Sequence, residues 1–209
     1  MDRTIEINVN ASAWTAEPSA QAKAQEYAEA IGRLPKFLRK DVDTITIQDG
    51  VYGFGGGNRD LLIHTGQGDA YIAAGNLDET LLHEACHTSL DSYVYGTDAW
   101  NTAVATDDKY VTDYARDNPQ REDIAESFLF WFATRFRKTL FTAQELTDWE
   151  SDMGGRFAYF DDLCQDMGPN YSVLDDSLCS ALEPELTGSV LNFSTYLTCL
   201  AVAIAMLAF

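Results

Sequence analysis

Two histidines four residues apart, His83 and His87 in the stretch LLHEACHTSLD, constrain this 209-residue chain more than any other feature. On a helix, residues four apart lie one turn apart on the same face, so both imidazoles can address one point. Leu77, Leu81, Leu82, Ala85 and Leu90 fall on one broad face, and Asn76 with Glu79 three residues later has the spacing of a capping arrangement. The pattern predicts a helix. The order His83-Glu84-x-x-His87 also carries chemistry, because two imidazoles can bind zinc, whose catalytic sites keep three protein ligands and a water. Glu84, beside the first ligand, could take a proton from that water without occupying the metal. Three fixed letters in five are a common pattern, however, and the reading needs a third ligand.

Three carboxylate candidates exist. Asp91 continues the spacing of His83 and His87, but a third ligand one turn further along the same straight helix closes a tetrahedron poorly. Asp98, in YGTDAW, is the second. The third is the segment REDIAES, where Glu122 and Glu126 stand four residues apart on the strongest downstream helical pattern. At that spacing the first acid can bind zinc and the second can accept a hydrogen bond from a ligand histidine and fix its tautomer. Glu126 also sits at the edge of an aromatic face, where an unpaired carboxylate is costly. Glu122 is therefore preferred as the third ligand, with Glu126 supporting a ligand. His64, the remaining histidine, reads as a strand residue with a satisfied hydrogen bond. Phe128, Phe130, Trp131 and Phe132 read as core.

HEACH followed, 35 residues after His87, by EDIAESF resembles the gluzincin arrangement, in which a glutamate on a later helix completes the histidine pair. Within that group the segment resembles the catalytic domain of anthrax lethal factor and related toxin-like peptidases: Glu122, Ala125, Glu126 and Phe128 match its E-x-x-A-E-x-F segment in place. The likeness covers roughly residues 34–136. It implies an α+β, zincin-like fold, with a mixed sheet packed on the HExxH helix and a substrate held against an edge strand; that the sheet is small and mostly antiparallel is read from the strand candidates LLIHTG and AYIAAG. It also implies Zn2+ as cofactor, peptide or protein as substrate, and a tyrosine seven residues before the glutamate that steadies the oxyanion. Tyr114 stands eight before Glu122 and takes that role by nearness, with Tyr110 as the alternative.

The composition limits the partners. A formal charge of −19 excludes nucleic acid as the expected partner, since phosphate binding needs clustered Lys and Arg. The same acidity fits a second reading, a non-catalytic cell-surface or matrix binding protein that keeps the scaffold. Cysteines stand at 86, 164, 179 and 199 without a CxxC pair; Cys86 reads as a small buried thiol, and Cys164 with Cys179 as a candidate disulfide in a secreted protein. No apolar leader follows Met1, so a secretory route would need one ahead of it. No Lys or Arg follows Arg156, and the closing segment is uncharged and apolar. This is the pattern of a GPI-attachment signal, with a tail anchor or a packed C-terminal helix or strand as the alternatives. Sequons at Asn10 and Asn170 suit an extracellular or cell-surface location.

The layout expected is an N-terminal extension over 1–17, one catalytic domain over 18–167, an acidic linker over 168–189 and an apolar tail over 190–209. Within the domain, a helix should precede Pro35 and a strand should cover DTITIQDG. VYGFGGGNRD should be a flexible glycine-rich connection. LLIHTG and AYIAAG should be two further strands joined through QGD. After the histidine helix, TDAWNTAVATDDKYVTDYARD should form one helix. Asn118 with Pro119 should open the next, and TAQELTDWESDMGG and RFAYFDDLCQDM should add two short ones.

Overall fold

The computed structural model describes residues 4–166. These form two compact units, one through Ser92 and one from Tyr93 onward. The Cys164–Cys179 pairing, the acidic linker, the apolar tail and the sequon at Asn170 lie outside the described residues. Among the described residues, no helix is long and apolar enough to cross a membrane.

The first unit is a four-stranded sheet with helices. Strand β1 (Glu6–Val9) is followed by helices α1 (Glu17–Gly32) and α2 (Lys36–Arg39), then by β2 (Thr44–Gln48), β3 (Gly55–Gly57) and β4 (Asp60–His64). Helices α3 (Thr65–Ala74) and α4 (Leu77–Ser89) complete it. The strand order is β1-β2-β4-β3. β1 lies within the segment expected as an extension, and Asn10 just beyond it donates from Nδ2 to Gln48 Oε1 at 3.1 Å.

The chain is α+β and its sheet is small and mixed, but two of the three strand pairings are parallel: β1 with β2 and β2 with β4. Only β3 runs antiparallel, against β4. The expectation of a mostly antiparallel sheet is therefore corrected. A parallel pair needs a long crossover, and α1 and α2 form it between β1 and β2. Ile45, Ile47, Leu61 and Ile63 alternate with half-buried neighbours and form the core face.

AYIAAG is not a strand either; it belongs to α3. Short apolar runs fit both periods, and here tertiary packing decides. Gly68 lies so close to the Tyr27 hydroxyl that a Cβ would collide with it, and Gly75 ends the helix at φ 77°. The glycine-rich stretch also departs from expectation, because Gly55–Gly57 is the edge strand β3. Asn58 and Arg59 turn it into β4 with φ of 50° and 64°, the signs a two-residue hairpin loop requires. Arg59 is held there by ion pairs to Asp41 and Asp43.

The second unit is helical: α6 (Asp98–Thr106), α7 (Asp113–Asp117), α8 (Asp123–Phe136), α9 (Ala143–Asp152) and α10 (Gly154–Asp166), with a short turn α5 (Asp91–Val94) between the histidine helix and α6. The single helix expected over 97–117 is two. Asp107 is extended at ψ 140°, and Thr112 caps α7 by accepting from Ala115 N. The start expected at Asn118-Pro119 falls later: residues 118–122 are bend and turn, and Glu122 is the N-cap of α8. Phe128, Trp131 and Phe160 pack as a ring cluster with centroids 4.9 to 5.7 Å apart, as core aromatics do. At the far end of α8, Trp131 and Arg135 both donate to Asp161 on α10.

Candidate metal centre

In the first unit, α4 buries every residue but His87, which is half-buried. Asn76 precedes it without a side-chain cap, so the capping arrangement read from Asn76 and Glu79 does not form at Asn76. The helix is held instead by packing on α2, α3 and β3, and by Ser89, which donates to the Leu38 carbonyl at 2.5 Å. His83 and His87 stack edge to face, with their Nε2 atoms 3.1 Å apart. His87 Nδ1 donates to Asp91 Oδ2 at 2.8 Å. This hydrogen bond leaves the lone pair of neutral His87 on Nε2, the atom turned toward His83.

Glu84 is 8% exposed. Its backbone carbonyl packs on Gly56 so closely that a Cβ there would collide with it. Thr88, one turn on, accepts from Gly57 N at 2.8 Å. The glycine strand thus fixes the middle of the histidine helix. Tyr71 on α3 has its hydroxyl pKa pushed up to about 12, mainly by burial and then by the charge of Glu84. It remains a neutral donor. Burial raises the Cys86 thiol well above its ordinary value, so this cysteine is an inert core residue.

In the second unit, Glu122 is 4% exposed. Backbone hydrogen bonds run from Glu122 N to Asn118 O and from Asn118 N to Tyr114 O, at 2.9 and 3.0 Å, so these residues follow one another at successive turns. Burial first, and then the charge of Glu122, raises the pKa of the Tyr114 hydroxyl. Glu126, one turn into α8, accepts from Thr112 Oγ1 at 2.8 Å. Asp123 has its pKa raised by burial, against the lowering effect of Arg156.

One ligand atom from each of His83, His87 and Glu122 lies within 4.8 Å of the other two, a set that could hold a metal ion. The donors fit such an ion. Imidazole nitrogens about 2.0–2.1 Å from a tetrahedral ion stand about 3.3–3.4 Å apart, and the histidine pair needs an adjustment of only roughly a few tenths of an ångström to reach that spacing. Asp91 is not a third ligand but the carboxylate that orients His87. Asp98 is exposed in the first turn of α6. His64 has Nδ1 2.9 Å from the Gly53 carbonyl, a satisfied strand histidine. Tyr110 lies under the Arg156 guanidinium, 4.8 Å from its ring centroid.

The orienting role of Asp91 and the packing role of Gly56 are not expected from the sequence. The four-residue step from His87 to Asp91 was a usable signal for the first, since a carboxylate one turn beyond a ligand histidine can accept from its other nitrogen. No local signal marks the second. No protein-family model, no curated protein and no solved structure matches this chain.

Proposed function

We propose that this protein is a zinc-dependent metalloendopeptidase of the gluzincin type, with His83, His87 and Glu122 as metal ligands and Glu84 as general base. The observation that carries the reading is the pair of Nε2 atoms 3.1 Å apart, on a helix that also bears Glu84 and with the Glu122 carboxylate in the same cluster. Two histidines and one glutamate are a donor set of catalytic rather than closed structural zinc sites, leaving a position open. Zinc bound there supplies a Lewis acid for the scissile carbonyl and an acidified water.

The chain's own residues then divide the work. Glu84, nine-tenths buried, takes the water's proton and passes it to the leaving amine. Asp91 holds His87 in the tautomer that presents Nε2, and Glu126 supports the ligand shell. Tyr114, a neutral donor whose pKa is raised by burial and by the charge of Glu122, turns its hydroxyl to the oxyanion that develops on the substrate carbonyl.

The test combines metal content with turnover. Purified protein should carry zinc close to one per chain by elemental analysis and should cleave peptides in a chelator-sensitive manner. Glu84→Gln should retain the zinc and lose at least about a hundredfold in kcat, within the range a general base contributes. A Glu84→Gln variant with full activity would remove the mechanism. A stably folded protein that takes up no metal would favour the acidic binding-protein reading instead.

A further inference from the structure

Arg156 is the largest charged side chain buried in the described residues, 1% exposed, and the metal chemistry above leaves it unused. It stands at the start of α10 between two aspartates. Nε and Nη2 form a fork on the Asp123 carboxylate at 2.9 to 3.2 Å, and Nη1 donates to Asp107 Oδ2 at 2.8 Å. Asp107 also accepts from the backbone N–H groups of Gly155 and Arg156, at 2.6 and 3.0 Å, so it caps α10 from the end of α6. A Cβ on Gly155 would come within 2.5 Å of the Ala103 carbonyl, which is why a glycine stands there. Ser127 completes the Asp123 carboxylate at 3.1 Å.

A buried ion cluster of this kind is weak evidence of stability, since well-packed apolar residues often do as well. Its better-attested use is to specify one geometry among several. The geometry specified here is that of the first turn of α8. Asp123 is the first residue of that helix, and Glu122 is its N-cap. Fixing the Asp123 carboxylate at both oxygens fixes the peptide from which the Glu122 side chain departs. The planar fork of arginine matches that carboxylate, and a lysine ammonium would not hold it in the same orientation.

We propose that Arg156 is a positioning residue for Glu122: through Asp123 it holds the start of α8 so that the Glu122 carboxylate is presented for metal binding. This rests on the zinc reading of Glu122. Displacing a group that orients a metal ligand costs 10- to 100-fold in metal affinity, whereas a purely structural tie between α8 and α10 would cost stability alone.

The test compares Arg156→Lys with Asp161→Asn, which loosens the same two helices at the other end of α8. For the whole chain, zinc affinity is measured by competition with a chromophoric chelator, and amide hydrogen exchange is followed in the metal-free protein. Arg156→Lys should lose 10- to 100-fold in zinc affinity and exchange faster over 118–126, while Asp161→Asn keeps its affinity within about twofold. Should Arg156→Lys not fold, Asp123→Asn retains the Arg156–Asp107 pair and is read in the same way. Zinc affinity within about twofold of the parent in both Arg156→Lys and Asp123→Asn, with protection over 118–126 unchanged, overturns the proposal and leaves the zinc reading intact. If the parent chain takes up no zinc, the zinc reading fails. The positioning role falls with it, whereas a parent that binds zinc and variants of unchanged affinity and protection overturn the positioning role alone.

Discussion

A histidine is an ambidentate ligand, and the atom it offers depends on what its other nitrogen does. His87 Nδ1 is committed to Asp91 at 2.8 Å, so in the neutral ring Nε2 carries the lone pair a metal would take. Asp91→Ala should therefore weaken zinc binding 10- to 100-fold, about 1.4–2.7 kcal/mol, with little change in the fold. Competition titration would read the loss, and Asp91→Asn, whose amide oxygen can still accept, should recover part of it. An Asp91→Ala variant of undiminished affinity would show that the tautomer is set elsewhere. At this scale much was legible. His83 and His87 were expected to share a face because a helix converts a step of four into adjacency, Glu122 was expected as their partner from the REDIAES segment downstream, and the three do fall in one possible metal-binding set. Asp91 was recognised as lying in register, but the same step suits a ligand and a ligand's partner, and only the orientation of the His87 ring separates the two.

Helix α4 meets strand β3 through the backbone. Gly56 lies against the Glu84 carbonyl with no room for a Cβ, whereas a Cβ at Gly55 would lie 3.7 Å from Leu62 Cβ, an ordinary contact. Gly56→Ala should therefore cost about 1–3 kcal/mol as an overpacked contact, and under the proposed mechanism it should lower kcat more than zinc affinity, since the displaced peptide is that of Glu84. Gly55→Ala should be close to neutral. Thermal denaturation with kinetics checks both, and equal effects of the two substitutions would argue against a close approach at Gly56. Helix α8 was expected because its apolar residues recur over many turns. β3 was not, because three glycines carry no side-chain period; its strand character comes from pairing with β4 and from the helix pressed against it. The run AYIAAG went wrong for a related reason, being too short to separate a helix from a strand.

For the molecule as a whole, any ion that binds only the folded state stabilises it by mass action. Free zinc at about 100 times its Kd should raise the unfolding free energy by about 2.7 kcal/mol, visible as a chelator-reversible rise in Tm. The rise should persist in Glu84→Gln and disappear in His83→Ala. A rise retained in His83→Ala would place the ion elsewhere. The chain's charge of −19 adds a general attraction for cations, which the histidine variant controls for. What the sequence determined by itself is local: which stretches are helical over many turns, and that two imidazoles and a carboxylate beside them share a helix. Sheet direction, the two-unit division, the strand made of glycines, the orientation of His87 and the Arg156 cluster were decided only by tertiary structure. The physical reason is that each depends on partners far apart in the chain: Arg156 lies 33 positions from Asp123 and 49 from Asp107. Periodicity reports the face a residue shares with its neighbours; it carries no information on which distant backbone or carboxylate will be packed against that face.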